Sequence, residues 1–121
     1  MTRRYSHDGG LTWRPSTPNK DLPSPIDGVE ASLVMHPSGR LFHSAPESFS
    51  FRTRMVVKVS DDKGATWRHH ATVWEGSAGY SALAVLGDGP DAPLGLLYDR
   101  NNRTMMIFEA RGVTFTTVSA V

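Results

Sequence analysis

The sequence has 121 residues, of which 39% are hydrophobic and 21% are charged, with a formal net charge of +1 and no cysteine. This length is enough for about one domain, and the lack of cysteine excludes disulfides and thiolate metal sites. The scattered, nearly balanced charges give no reason to expect nucleic acid or an anionic membrane as partner. No apolar run approaches the ~20 residues of a membrane span, and the first ten residues lack the apolar region of a signal peptide. The cellular location is therefore not predicted.

The apolar runs are short and bounded by Gly, Pro, Asn and Asp, which is typical of strands rather than helices. In the best of them, Arg52–Ser60, every second residue is apolar or uncharged, so arginine and lysine face the other side. After a hairpin tip at Arg3–Trp13, the pattern predicts strands at Glu30–His36, Arg40–His43, Arg52–Ser60, Arg68–Val73, Tyr80–Leu86, Leu94–Asp99, Thr104–Ala110 and Val113–Val118.

One octapeptide pattern, Ser-x-Asp-x-Gly-x-Thr-Trp, occurs twice, as SHDGGLTW at Ser6–Trp13 and SDDKGATW at Ser60–Trp67. Aspartate accepts backbone N–H bonds and glycine adopts positive φ, so the pattern suits a tight hairpin turn. A calcium loop would need six or more oxygen ligands, which one or two carboxylates do not supply. A structural turn is therefore favoured over a metal or catalytic site, and no metal or cofactor is predicted.

The two octapeptides start 54 residues apart, and the predicted strands form two four-stranded units at about 29–75 and 78–119. A four-stranded unit that repeats every 40–50 residues is typical of β-propeller blades, of which four to eight close a propeller. With residues 1–14 as the end of a preceding blade, the prediction is an all-β, partial β-propeller of about two and a half blades.

The octapeptide resembles the Asp-box of sialidases (neuraminidases), and two longer segments extend the resemblance over nearly the whole chain. VWEGSAGYSALAVLGDG followed by LGLLYDR is similar to the C-terminal part of exo-α-sialidases, and RLFHSAPESFSFRTRMVVKVSDDKGATW is similar to the segment just before it. This resemblance implies the C-terminal part of a six-bladed propeller that removes terminal α-linked sialic acids. It implies sialylated glycans, glycoproteins or glycolipids as partners.

By position in the family pattern, Tyr80 corresponds to the catalytic tyrosine nucleophile. Arg52 corresponds to the third arginine of the triad that binds the substrate carboxylate. Arg54 is a rival on the same predicted strand face, but Arg52 has the family spacing of eight residues before Ser60. These roles are implied by the resemblance and not by the residue types alone.

Two further positions carry supporting roles by the same resemblance. Asp99 stands where the family usually has a glutamate that supports another arginine of the triad, so the shorter side chain is a departure from the pattern. Glu30, followed by Ser32 in VEASL, falls where the family has residues close to the substrate.

The implied chemistry is a retaining glycosidase reaction with a tyrosine nucleophile, an exception to the usual pair of carboxylates. A neutral phenol avoids the repulsion that a carboxylate nucleophile would meet at the substrate carboxylate, but it needs a neighbouring base. Guanidinium groups suit the substrate because they bind a carboxylate bidentately.

Several parts of the family site have no counterpart in this sequence. No Phe/Tyr-Arg-Ile-Pro motif is present, and the second arginine, the acid/base aspartate and the activating glutamate cannot be placed. We therefore expect this polypeptide to be a fragment that does not cleave a sialoside on its own. The alternative class is a non-catalytic Asp-box module that binds carbohydrate or protein, which would have no need of Arg52 and Tyr80 at matching positions.

Overall fold

The computed structural model describes residues 1–101 and 112–121, and the regular elements in these ranges are β-strands. Six of them form one antiparallel sheet in chain order, and two short strands near the N-terminus pair separately. The all-β expectation is confirmed. The strands are β1 (Thr2–Arg3), β2 (Thr17–Pro18), β3 (Ser32–Met35), β4 (Leu41–Pro46), β5 (Thr53–Ser60), β6 (Arg68–Val85), β7 (Leu94–Asn101) and β8 (Gly112–Val118).

The strand β6 is 18 residues long and corrects the predicted division of this region into Arg68–Val73 and Tyr80–Leu86. Its first part, as far as Ser77, pairs with β5, and its second part, from Ser77 onward, pairs with β7. The chain does not turn at the Glu-Gly-Ser-Ala-Gly segment, because Ser77 in its middle pairs with Thr53 of β5 and with Asn101 of β7. The predicted strand Thr104–Ala110 lies outside the described residues.

The sheet curls so that the second part of β6 reaches the first two strands of the sheet. The backbone amide of Leu83 donates a 2.9 Å hydrogen bond to the Ser32 hydroxyl of β3. The hydroxyls of Ser44 in β4 and Ser81 in β6 lie 2.8 Å apart. These contacts tie β6 to two strands that are not its neighbours in the sheet.

The hydrophobic core lies inside this curl, where β4, β5 and β7 each contribute large side chains. The alternation predicted for β5 places Met55, Val57 and Val59 in this core, and all three are fully buried. The inward side chains of β7 meet them from the second half of the sheet. The largest buried apolar residues of the cluster are Phe42, Met55, Val57, Val59, Leu94 and Leu96.

Both octapeptides form the same hydrogen-bonded turn, as expected. In the first, the Asp8 carboxylate accepts bonds from the Ser6 hydroxyl and from Thr12, and in the second Asp62 accepts the same bonds from Ser60 and Thr66. Hydrogen bonds from Thr12, and then from Ser6, lower the pKa of Asp8 to about 2. Those from Thr66 and Ser60 do the same to the pKa of Asp62.

Side chains of the N-terminal segment pack against the second octapeptide. Arg3 donates through Nη1 to the Gly64 carbonyl at 2.9 Å, and the Tyr5 hydroxyl donates to the Lys63 carbonyl at 3.2 Å. The backbone amide of Trp67 donates to the Asp21 carboxylate at 2.9 Å. The second turn is therefore a junction between the sheet and the chain before it.

Over the ranges 1–101 and 112–121, no helix has the length and apolarity needed to cross a membrane. The same ranges contain no group of three or more His, Asp or Glu side chains that could hold a metal ion.

Candidate functional site

Tyr80 lies in the second part of β6, where the pairing with β7 is irregular. The register shifts between Ala78 and Ser81, so Gly79 and Tyr80 fall inside the irregularity. Gly79 is buried, whereas 45% of the Tyr80 side chain is exposed. Tyr80 therefore lies outside the regular pairing of β6 with β7, and its ring is partly exposed.

The Asp99 carboxylate fixes the backbone immediately before Tyr80. Its Oδ1 accepts a 2.7 Å hydrogen bond from the backbone amide of Gly79. A Cβ atom at Gly79 would lie 2.8 Å from this oxygen, closer than side chains tolerate. Within the described ranges Asp99 forms no ion pair, so its predicted support of an arginine stays a prediction.

Arg52 lies against the ring of Tyr80. Its guanidinium carbon is 5.0 Å from the ring centroid, within the range of a cation–π contact. The backbone reinforces this arrangement, because the Arg52 carbonyl accepts bonds from the Ala78 amide at 3.0 Å and the Ser77 hydroxyl at 3.3 Å. The residue precedes β5, which begins at Thr53, rather than lying within it.

The guanidinium of Arg52 is held on its other side by a turn at residues 27–28. Its Nη2 donates to the Gly28 carbonyl at 3.0 Å, and its Nε lies 3.2 Å from Asp27 Oδ2. The Nε–H bond is not aligned with that oxygen, so the Asp27 contact is an ion pair rather than a hydrogen bond. Only 15% of the Arg52 side chain is exposed.

Arg54, the rival arginine, points into a different set of contacts. Its guanidinium pairs with Glu47 at 2.6 Å and with Glu75 at 3.3 Å. The expectation that it shares a strand face with Arg52 is wrong, because Arg54 has a φ of 62° and the β5–β6 register shifts around it. This bulge interrupts the alternation of faces on which the expectation was based.

Glu30 reaches the same neighbourhood through its backbone. Its carbonyl accepts a 3.3 Å hydrogen bond from the amide of Ser81, the residue after Tyr80, while its side chain is exposed. The four predicted site residues therefore come together around residues 79–81, although they lie in four separate parts of the sequence.

Sequence reasoning missed Asp27 as a member of this cluster. The dipeptide Asp27–Gly28 indicated only a turn in a proline- and serine-rich connection, and Gly28 indeed has a φ of 72°. The sequence offered one sign of this contact. Asp27 is one of two acidic residues in the connection, with Asp21, and could therefore pair with an arginine.

The arrangement combines a partly exposed phenol with a fixed positive charge. In the described part of the chain, nothing hydrogen-bonds to the Tyr80 hydroxyl, which leaves it open to a ligand. The guanidinium of Arg52 can donate to a carboxylate beside the ring.

Residues 1–93 match the protein family described as "BNR repeat-like domain". A sialidase of Micromonospora viridifaciens is 34% identical over 103 residues, which are 78% of this chain and 15% of the sialidase. The chain thus spans about one-seventh of the length of this curated relative.

Solved sialidase structures share the fold. The leech intramolecular trans-sialidase, complexed with 2,7-anhydro-Neu5Ac prepared by soaking with 3′-sialyllactose, aligns with a TM-score of 0.70 and 18% identity. That alignment covers 98% of this chain and 20% of the leech chain. The intramolecular trans-sialidase of Ruminococcus gnavus, in complex with oseltamivir carboxylate, gives a TM-score of 0.66, 18% identity, and coverage of 98% and 26%.

Proposed function

Because the chain belongs to the family of BNR repeat-like domains, we propose that it supplies one side of an exo-α-sialidase active site. In this proposal Tyr80 is the nucleophile and Arg52 is one of the arginines that bind the substrate carboxylate. The substrates are terminal α-linked sialic acids on glycoconjugates. The homology to a sialidase supports the class of reaction, which is glycoside hydrolysis. The contact between Arg52 and Tyr80 supports their proposed roles.

The observation that carries the proposal is the contact between Arg52 and Tyr80. The two residues are separated by the whole of the second octapeptide and much of β6, yet the guanidinium carbon lies 5.0 Å from the ring centroid. Sialic acid carries its carboxylate on the anomeric carbon, so a group that binds the carboxylate must stand beside the nucleophile. The contact meets this requirement.

The proposed reaction begins when the Tyr80 oxygen attacks the anomeric carbon and the glycosidic bond to the leaving sugar breaks. The phenol proton passes to a base, and the leaving oxygen receives a proton from an acid. Water then hydrolyses the sialyl-tyrosine with overall retention, as in other double-displacement glycosidases. In this sequence we identify neither the base nor the acid, so both steps require residues from outside this chain.

The architecture supports a place for this chain within a propeller. The sheet passes from one set of strands to the next at Ser77, where β6 exchanges its partner β5 for β7. We propose that residues 29–75 and 78–119 correspond to two blades and residues 1–14 to the end of another. Tyr80 then lies just past the crossing between the two blades.

A calorimetric titration of the 121-residue chain with 3′-sialyllactose tests the proposal, with lactose as the ligand that lacks the carboxylate. We expect binding of 3′-sialyllactose alone, and Arg52→Ala should weaken it about tenfold or more because a charged partner is lost. Arg54→Ala is the matched control, since it removes the same charge two residues away, and it should leave the affinity unchanged. Equal binding of lactose would instead favour the non-catalytic carbohydrate-binding alternative.

A further inference from the structure

The turn at residues 27–28 holds the arginine of the proposed site. Asp27 Oδ2 lies 3.2 Å from Arg52 Nε, and the Gly28 carbonyl lies 3.0 Å from Arg52 Nη2. We propose that Asp27 is a positioning residue, which acts on the substrate through Arg52 and does not touch the substrate itself. This inference rests on the function proposed above.

The two contacts involve Nε and Nη2 of the guanidinium group, whose central carbon lies over the ring of Tyr80. Guanidinium is planar and carries five donors in a fixed fork. Among the described residues, the Gly28 carbonyl accepts a hydrogen bond from this group, and Asp27 attracts Nε by its charge. Asp27 and Gly28 therefore restrict the orientation in which Arg52 meets a substrate carboxylate.

The charge of Asp27 matters more than its capacity to form hydrogen bonds. The Nε–H bond does not point at the Asp27 oxygen, so the attraction is mainly between the charges. The side chains of Arg52 and Asp27 are 15% and 28% exposed, so solvent screens this attraction only in part. A long arginine side chain without such a partner would sample several rotamers, and ordering it at the moment of binding would weaken binding.

Gly28 provides the second contact that holds the Arg52 guanidinium. Its φ of 72° is a conformation that favours glycine, and it turns the carbonyl toward Arg52 Nη2. The sequence Asp27–Gly28 thus provides a carboxylate and a carbonyl, spaced to meet adjacent nitrogen atoms of one guanidinium.

The test compares Asp27→Asn, which keeps the size and removes the charge, with Asp27→Glu, which keeps the charge. Asp88→Asn is the matched control, because Asp88 is also followed by glycine, is exposed, and forms no ion pair in the described ranges. The readouts are the NMR signals of the Tyr80 ring and the Arg52 Nε–H group, and the affinity for 3′-sialyllactose.

We expect Asp27→Asn to shift the Tyr80 and Arg52 signals and to weaken 3′-sialyllactose binding about tenfold, a loss typical of removing one partner of a charge pair. Asp27→Glu and Asp88→Asn should keep the wild-type signals and affinity. Unchanged Tyr80 and Arg52 signals in Asp27→Asn would overturn the inference, and so would identical behaviour of the Asn and Glu variants.

The inference remains testable if Asp27→Asn does not fold or if the wild-type chain does not bind 3′-sialyllactose. If Asp27→Asn does not fold, a salt titration of the wild-type chain tests the inference, because salt screens an ion pair. A larger shift of the Arg52 Nε–H signal than of the signal of the exposed Arg14 supports the inference, and equal shifts overturn it. If wild type does not bind 3′-sialyllactose, the proposed function fails, while the Tyr80 and Arg52 signals still decide whether Asp27 positions Arg52.

Discussion

The carboxylate of Asp99 accepts a 2.7 Å hydrogen bond from the backbone amide of Gly79, the residue before Tyr80. The two strands that carry these residues are irregularly paired at this point, and the bond bridges the irregularity. A side chain thus replaces part of a missing strand ladder. The orientation of Tyr80 depends on a contact that its own side chain does not make.

Substitution of Gly79 by alanine should disturb this contact. A Cβ atom there would lie 2.8 Å from Asp99 Oδ1, so either the carboxylate or the strand must move. We expect Gly79→Ala to lower the free energy of unfolding by about 1–3 kcal/mol, as overpacking of a buried position does. Urea unfolding measures this, with Gly89→Ala as the control because nothing lies within 4 Å of a Cβ there. Equal effects of the two substitutions would contradict the contact.

The two octapeptides offer a comparison of one motif in two settings. Asp62→Asn should lower the thermal unfolding midpoint more than Asp8→Asn, because the side chains of Arg3 and Tyr5 bind the second turn and tie it to a distant part of the chain. If both substitutions lower the midpoint equally, the junction contributes nothing to stability.

The same carboxylates predict an acid dependence of stability. Hydrogen bonds from Thr66 and Ser60 lower the pKa of Asp62 from 3.8 to about 2 in the folded chain. The stabilisation is therefore complete above about pH 4 and is lost as the pH falls through about 2. Thermal unfolding between pH 5 and pH 2 should show the difference between wild type and Asp62→Asn shrinking as the pH falls. A difference that does not change with pH would contradict the assignment.

His43 predicts a second dependence at milder pH. Burial, and then the charge of the cross-strand neighbour Lys58, lower the pKa of His43 from 6.5 to about 4. The unfolded chain therefore binds a proton more readily than the folded chain, and stability falls from pH 6.5 toward pH 4. This shift corresponds to roughly 3 kcal/mol.

A urea series at pH 7 and pH 5 on wild type and His43→Phe measures the effect. The variant should lose part of the pH dependence, whereas the exposed control His7→Asn should keep all of it. An unchanged pH dependence in His43→Phe would show that His43 is not the responsible group.

The sequence allowed the prediction of those features that rest on local patterns. The octapeptide turns follow from aspartate and glycine at fixed offsets, and the core face of β5 follows from alternation. The family resemblance assigned Arg52 and Tyr80 to one site, but nothing in their residue types predicts the contact between them.

Other features depend on long-range pairing that no local pattern reports. The continuity of β6 arises because Arg68–Ser77 and Ser77–Val85 find different partner strands. The separation of Arg52 from Arg54 arises from a bulge at a non-glycine residue of positive φ. Asp27 lies in the connection before β3 and contacts Arg52 just before β5, a long-range contact that no local pattern predicts.

The most direct test of the central claim is an NMR titration of the wild-type chain that follows its three tyrosines separately. We predict that 3′-sialyllactose shifts the ring signals of Tyr80 and the guanidinium signals of Arg52, while Tyr5 and Tyr98 stay unchanged and lactose shifts none of them. Unchanged Tyr80 signals at saturating 3′-sialyllactose, or shifts confined to Tyr5 or Tyr98, would contradict the proposal that Tyr80 and Arg52 form a sialic acid site.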